Sequence, residues 1–122
     1  MRRDVDKKKY EKLTELIAKC GVQIKYAKAL AYICLKGEAT AREIETASGL
    51  KQPEVSIATT YLYEKRWIKR RKKKLNGKGR PIYIYSLAKP LNETISRLQD
   101  MLREKIEDLE SAVKELEKFK EE

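Results

Sequence analysis

The sequence predicts a mainly α fold that carries one small β-hairpin and a long C-terminal coiled-coil-like helix. Three observations lead there. Apolar side chains recur at helical spacing through the first half of the chain, and Gly21, Gly37 and Gly49 close successive stretches. Two strand-like arms flank Asn76-Gly77, the strongest short-range hairpin signal. From Ile95 onward, apolar residues return every seven positions.

The elements follow in chain order. Tyr10, Leu13, Ile17 and Cys20, with Leu16 beside them, predict a first helix over residues 7–20. Residues 24–36 form a second, whose alanines (Ala27, Ala29, Ala31) predict close packing against neighbouring helices. Thr40-Ala41-Arg42-Glu43 is a capping box and opens a short helix with Ile44 and Ala47 inward, ending at Ser48-Gly49-Leu50. Gln52-Pro53 starts the next helix, with Pro53 suited to the first turn and Val55 and Leu62 on the inner face. One hairpin arm runs from Trp67 to Leu75 and the other from Arg80 to Leu87, where Ile82-Tyr83-Ile84-Tyr85 alternates β-branched and aromatic residues. Tyr83 and Tyr85 are expected to pack the hairpin onto the helices. A short helix, a Gly-containing turn and a second helix feeding a hairpin is the layout of a winged helix-turn-helix.

Lys89-Pro90 ends the hairpin, and Asn92 is expected to cap the final helix. Its main seam is Ile95, Leu102, Leu109 and Leu116, with Leu98, Ile106 and Val113 beside it. About four heptads, or roughly 40 Å of helix, outrun so small a domain, so these seven residues are expected to mediate dimerisation; a helix folded back on its own domain is the alternative. The direction of the coiled coil stays open. The expected organisation is an N-terminal helix in residues 1–21, a DNA-binding domain in 22–88 and a dimerisation helix in 91–120.

Charge is distributed unevenly. The chain holds 29 Lys+Arg against 19 Asp+Glu, and residues 65–80 contain ten basic side chains and no acidic one. The net charge of +10 therefore comes from that stretch alone. Like charges so crowded repel one another, and nothing acidic nearby is expected to relieve them. Their natural partner is a polyanion, nucleic acid first.

Composition also excludes classes of function. With no His and two isolated cysteines, Cys20 and Cys34, a Cys/His metal cluster within one chain is excluded, as is a Ser-His or Cys-His nucleophile. No Gly-rich phosphate loop is present. The expectation is a protein without enzymatic activity, cofactor or metal. No apolar run reaches membrane-spanning length, and Met1-Arg2-Arg3 is not followed by the apolar stretch of a secretory signal, which predicts a soluble cytoplasmic, nucleoid-associated protein.

Residues 41–56, followed by Leu62, resemble the helix-turn-helix of prokaryotic, archaeal above all, winged-helix transcription regulators of the ArsR, MarR and TrmB groups. Trp67-Ile68-Lys69-Arg70 resembles the start of their wing, and Gly79-Arg80-Pro81 with Tyr83 and Tyr85 resembles its return strand. The likeness covers residues 24–88 and implies a second helix in the major groove. It does not carry over metal sensing, because the ArsR Cys motif and His ligands are missing. With Val55 and Leu62 buried, Gln52, Ser56, Ile57 and Thr60 face outward, with amide, hydroxyl and apolar groups suited to base edges. Thr40, Arg42 and Lys51 at the motif's edges, and Lys69, Arg71, Lys72, Lys73, Lys74 and Lys78 in the wing, are expected phosphate contacts. Arg80, on a rigid Gly-Arg-Pro tip, is placed for the minor groove.

The leading expectation is a dimeric, sequence-specific regulator of transcription on double-stranded DNA. An architectural nucleoid protein with little sequence preference is the first alternative, since the layout also resembles small archaeal nucleoid proteins that join a winged helix to an antiparallel coiled coil. A winged-helix protein-interaction module is the second.

Overall fold

The computed structural model describes residues 4–74 and 79–121 of the 122-residue chain. Among them are α1 (Lys7–Lys19), α2 (Ile24–Lys36), β1 (Glu38–Thr40), α3 (Ala41–Ser48), α4 (Gln52–Glu64), β2 (Ile68–Lys73), β3 (Ile82–Leu87) and α5 (Leu91–Glu117), closed by a 3₁₀ segment, Lys118–Glu121. The expected mainly α architecture with a hairpin and a long final helix is what the chain adopts. The Asn76-Gly77 turn and Lys78 lie outside the described residues.

Local chemistry sets most boundaries. Asp6 caps α1, its carboxylate accepting from the Lys8 amide at 2.9 Å. The α3 capping box is complete: the Glu43 amide donates to Thr40 Oγ1 at 3.2 Å, and Glu43 Oε1 accepts from the Thr40 amide at 3.0 Å. Gly49 ends α3 in the left-handed region at φ 77°. The end of α4 is a Schellman motif, with Trp67 N–H bonded to Leu62 C=O (2.9 Å) and Arg66 N–H to Tyr63 C=O (3.1 Å). The residue that takes the left-handed position is Arg66, at φ 63°, where glycine is the usual choice. Asn92 does not cap α5; the helix begins one residue before it, after Pro90, and its first turn is tied by Thr94 N–H to Pro90 C=O at 3.0 Å.

α2 is the central element. Ala27, Ala29, Leu30, Ala31, Ile33 and Cys34 are all buried, so the helix is covered on nearly every side, and its alanines let α1 and α4 approach closely. One apolar cluster joins them to Ile17 of α1 and Cys20 just after it, Ile44 of α3, Val55, Ala58 and Leu62 of α4, Trp67 between α4 and β2, Ile68 and Tyr85 of the sheet, and Leu98 of α5. Each fully buried Leu or Ile contributes about 1.5–3 kcal/mol.

The sheet is antiparallel in the order β1-β3-β2. The short β1, which sequence periodicity did not reveal, pairs Ala39 with Tyr85, while β2 pairs Ile68 with Leu87, Arg70 with Tyr85 and Lys72 with Tyr83. Side chains alternate between faces, so Ala39, Ile68, Arg70, Lys72, Tyr83 and Tyr85 share the face turned to the helices. Lys69, Arg71, Lys73, Ile84 and Glu38 lie on the other.

α5 divides into two parts. Leu98 is only 5% exposed within its own chain, and Ile95, Met101 and Leu102 pack partly buried on the same cluster. The Cys20 thiol donates to Leu98 C=O at 3.4 Å, and Lys105 Nζ donates to Lys19 C=O at 3.1 Å. Within the single chain Leu98 is thus buried and Ile95 and Leu102 are half-buried, so the first part of the expected dimerisation seam packs at least partly on its own domain. Beyond Lys105 the apolar stripe continues uncovered through Ile106, Leu109, Val113, Leu116 and Phe119.

Candidate nucleic-acid interface

Burial of Val55, Ala58, Thr59 and Leu62 fixes the rotation of α4 and leaves Gln52, Ser56, Ile57 and Thr60 exposed. At 3.6 residues per turn, Gln52, Ser56 and Thr60 fall within about 80° of arc, and Ile57 sits about 60° further round. Gln52, Ser56 and Thr60 thus form one stripe; Ile57, 60% exposed, is an apolar edge to it. Thr59, one position from the stripe, turns inward and donates to Val55 C=O at 2.9 Å.

The start of α4 is held electrostatically. Glu54 accepts from the Lys51 amide at 2.9 Å and pairs with Lys25 of α2 at 2.6 Å. The Lys25 hydrogen bond, then the Lys51 amide, hold the Glu54 carboxyl below its ordinary pKa. Lys51 keeps an exposed side chain at this helix start, and Arg42 is exposed on α3. The Thr40 hydroxyl, by contrast, is engaged with Glu43, which also binds Lys36 at 3.1 Å. A crevice between α3, α4 and β3 is lined by Arg42, Glu45, Gln52, Tyr83 and Tyr85.

In the wing, Lys69, Arg70, Arg71, Lys72, Lys73, Lys74 and Arg80 are all exposed. Strand pairing splits the first five between the two faces. Arg70, placed by the sequence at the start of the wing but given no contact role there, lies over the ring of Tyr63 at 4.0 Å and that of Tyr83 at 4.5 Å, joining α4 to the wing on the helix side. Lys72 follows it on that face, 6.0 Å from the Tyr83 ring. Tyr63 itself shares the outward arc of α4 with Gln52 and Ser56. On the opposite face Arg71 reaches Glu38 of β1 at 3.4 Å, which corrects the expectation that nothing acidic stands near the basic run. Only long-range pairing of β1 with β3 brings Glu38 there.

A second unforeseen residue anchors the wing's root. Arg97 of α5 stacks on Trp67 at 3.6 Å and donates to the C=O groups of Lys65 (3.0 Å) and Arg66 (3.4 Å). A guanidinium at the C-terminal end of α4 meets carbonyls that the helix leaves unpaired, and complements its dipole. Partial desolvation lowers the Arg97 pKa from its ordinary value, but a guanidinium stays charged. α5 therefore braces the junction between α4 and the wing.

Burial pushes the Cys34 thiol up to about 12 and raises Cys20 as well, and both cysteines are free. Among the described residues no cluster of His, Cys, Asp or Glu could hold a metal, and no helix is long and apolar enough to cross a membrane.

The structure is similar to that of a possible transcriptional regulator from Methanosarcina mazei Go1, with a TM-score of 0.61 at 17% identity, covering 83% of this chain and 85% of that one. A transcriptional regulator homologue from Pyrococcus horikoshii OT3 gives 0.54 at 16% identity, over 81% of this chain and 97% of its own. TrmBL2, an archaeal chromatin protein, gives 0.51 at 19% identity, over 88% of this chain and 40% of its own. At these identities the likeness shows a shared winged-helix fold. No curated protein matches the sequence. A family model does: the one described as TFIIE alpha subunit matches residues 11–122, from the first helix through the wing to the end of the C-terminal helix, and the chain belongs to the TFIIE alpha subunit family.

Proposed function

We propose that the protein binds double-stranded DNA as a regulator of transcription, with α4 in the major groove and the β2–β3 wing on the backbone. One observation carries this reading: the polar stripe Gln52-Ser56-Thr60 on α4 and the cations Arg70 and Lys72 of the wing share one side of the molecule. Gln52 can bond adenine through both amide atoms, Ser56 and Thr60 can meet several base edges, and Ile57 or the Thr60 methyl can meet a thymine methyl. Arg42, Lys51, Lys72 and Lys74 supply phosphate contacts, and Arg80 enters the minor groove. Lys69, Arg71 and Lys73, on the far face of the hairpin, add to the field rather than to close contact. Two copies joined through Ile106, Leu109, Val113 and Leu116 present paired recognition helices to paired half-sites.

Selection of binding sites from random duplexes tests this. The expected result is an enriched site bound about a thousandfold or more above random sequence, with the preference relaxed by Gln52→Ala or Ser56→Ala. A second reading, architectural binding, draws on the disproportion between many wing cations and so few base-reading side chains. An unenriched pool with tight, salt-sensitive binding decides for it.

A further inference from the structure

We infer that a hollow between α2, α3 and the outer face of the wing binds a small aliphatic carboxylate, its charged head on Lys36 and Arg42 and its chain against Val5, Ala47, Ile82 and Ile84.

The hollow, about 680 Å³ in volume, is closed on its remaining side by the segment before α1. That volume falls within the range of small-molecule pockets. Regular structure builds the walls. Tyr32 and Lys36 stand four apart on α2, Glu43, Thr46 and Ala47 share one face of α3, and Ile82 and Ile84 alternate with Tyr83 on β3. Lys73, paired with Ile82 across the sheet, stands at the wing end.

Lys36 calls for an anion. Its side chain is only 10% exposed, and its ammonium donates to Glu43 at 3.1 Å. An ammonium carries three donors, and among the described residues Glu43 is the one partner of Lys36. Buried donors left without an acceptor cost free energy, which an incoming carboxylate oxygen recovers. Arg42, exposed at the rim, offers a planar fork that matches carboxylate geometry. Around the hollow Lys36, Arg42 and Lys73 stand against Asp4 and Glu43, a surplus of one positive charge. One carboxylate balances it, whereas a phosphate dianion overshoots.

The remaining wall suits a saturated chain. Val5, Ile82 and Ile84 are half-buried yet stand outside the domain's apolar cluster, and Ala47 is exposed. The aromatic residue of the lining, Tyr32, already meets Tyr10 edge to face at 6.1 Å, so the free apolar surface is mainly aliphatic. On the proposed function, a carboxylate held by Arg42 takes that guanidinium from the DNA backbone, and the occupied hollow weakens DNA binding.

Octanoate is the probe, titrated into the full-length protein and followed by amide NMR shifts. No DNA is present, so the outcome is independent of the DNA-binding reading. Saturable shifts at Lys36, Thr46, Ala47 and Ile84, with a dissociation constant in the millimolar range, are expected. Acetate, which lacks the chain, and octanol, which lacks the charge, bind about tenfold more weakly or worse. Lys36→Met strands Glu43 and weakens the α3 cap, so two milder variants carry the test. Arg42→Gln, at an exposed position, weakens octanoate about tenfold. Ala47→Phe fills the hollow and abolishes the shifts, with circular dichroism showing the fold intact. Shifts confined to the stripe from Ile106 to Phe119, equal affinity for octanol and octanoate, or binding that both variants leave unchanged overturns the proposal.

Discussion

Neutralising the helix-side wing cations, Arg70→Gln with Lys72→Gln, weakens DNA binding in a way that depends on salt by a calculable amount. Each phosphate contact contributes about −0.9 to the slope of log K against log salt, so losing two flattens the slope by roughly 1.8. Between 50 and 200 mM salt, a fourfold change, wild type then loses about twelvefold more affinity than the variant. The variant's defect is accordingly about twelve times larger at the lower salt. The comparison pair is Lys69→Gln with Lys73→Gln, on the opposite sheet face. It removes the same charge but acts only through the general field, so its slope change stays well under one contact. Fluorescence anisotropy of a labelled duplex across a salt series measures both, with circular dichroism checking that the hairpin survives. Equal slope changes for the two pairs, or a defect in the first that does not vary with salt, would refute the assignment of faces to roles.

Three further predictions concern the scaffold. Arg97→Met keeps the aliphatic stem but removes two hydrogen bonds and the stack on Trp67, costing about 2 kcal/mol in urea unfolding at one fixed protein concentration; a loss below about 0.5 kcal/mol means the brace is idle. Arg66→Gly relieves a left-handed residue and raises stability by up to about 1 kcal/mol, and any destabilisation shows that the Arg66 side chain holds contacts worth more than the backbone strain. Because burial raises Cys34 to about 12, its stability contribution is whole below the unfolded thiol's pKa near 9 and is lost as pH climbs from there toward 12, with Tyr10, also raised to about 12, adding to the upper part of that window. Native protein should resist a thiol reagent at pH 8, and Cys34→Ala should lessen the decline in stability above pH 9; a fast-reacting Cys34 in the folded state contradicts its burial.

The helices were legible from sequence because their signals are local. The Thr40–Glu43 box, the glycines at 21, 37 and 49, and the inward spacing of Val55 and Leu62 each act within a turn or two of chain. β1 was not legible: Glu38–Thr40 is too short to show alternation, and its identity as a strand depends on pairing with residues 84–86. The same pairing divides the wing's charge between faces, which a run of lysines and arginines cannot announce, having no apolar residue to mark the inner side. Tyr63 and Arg70 meet, as do Trp67 and Arg97, only because tertiary packing brings them together. Heptad periodicity showed an apolar stripe on the last helix but not its occupant. Leu98 and Leu109 look alike in that pattern, and only the fold shows that one is core and the other open.

The handover near Lys105 between covered and uncovered stripe makes α5 a stem with two separately editable halves. Substitutions after Ile106 change an uncovered apolar stripe at little cost to the domain's stability. Those before Leu102 alter the packing of the domain itself. On the proposed function, a chain built this way can acquire a new partner by changing a few surface residues, while the surface proposed to face nucleic acid stays as it was.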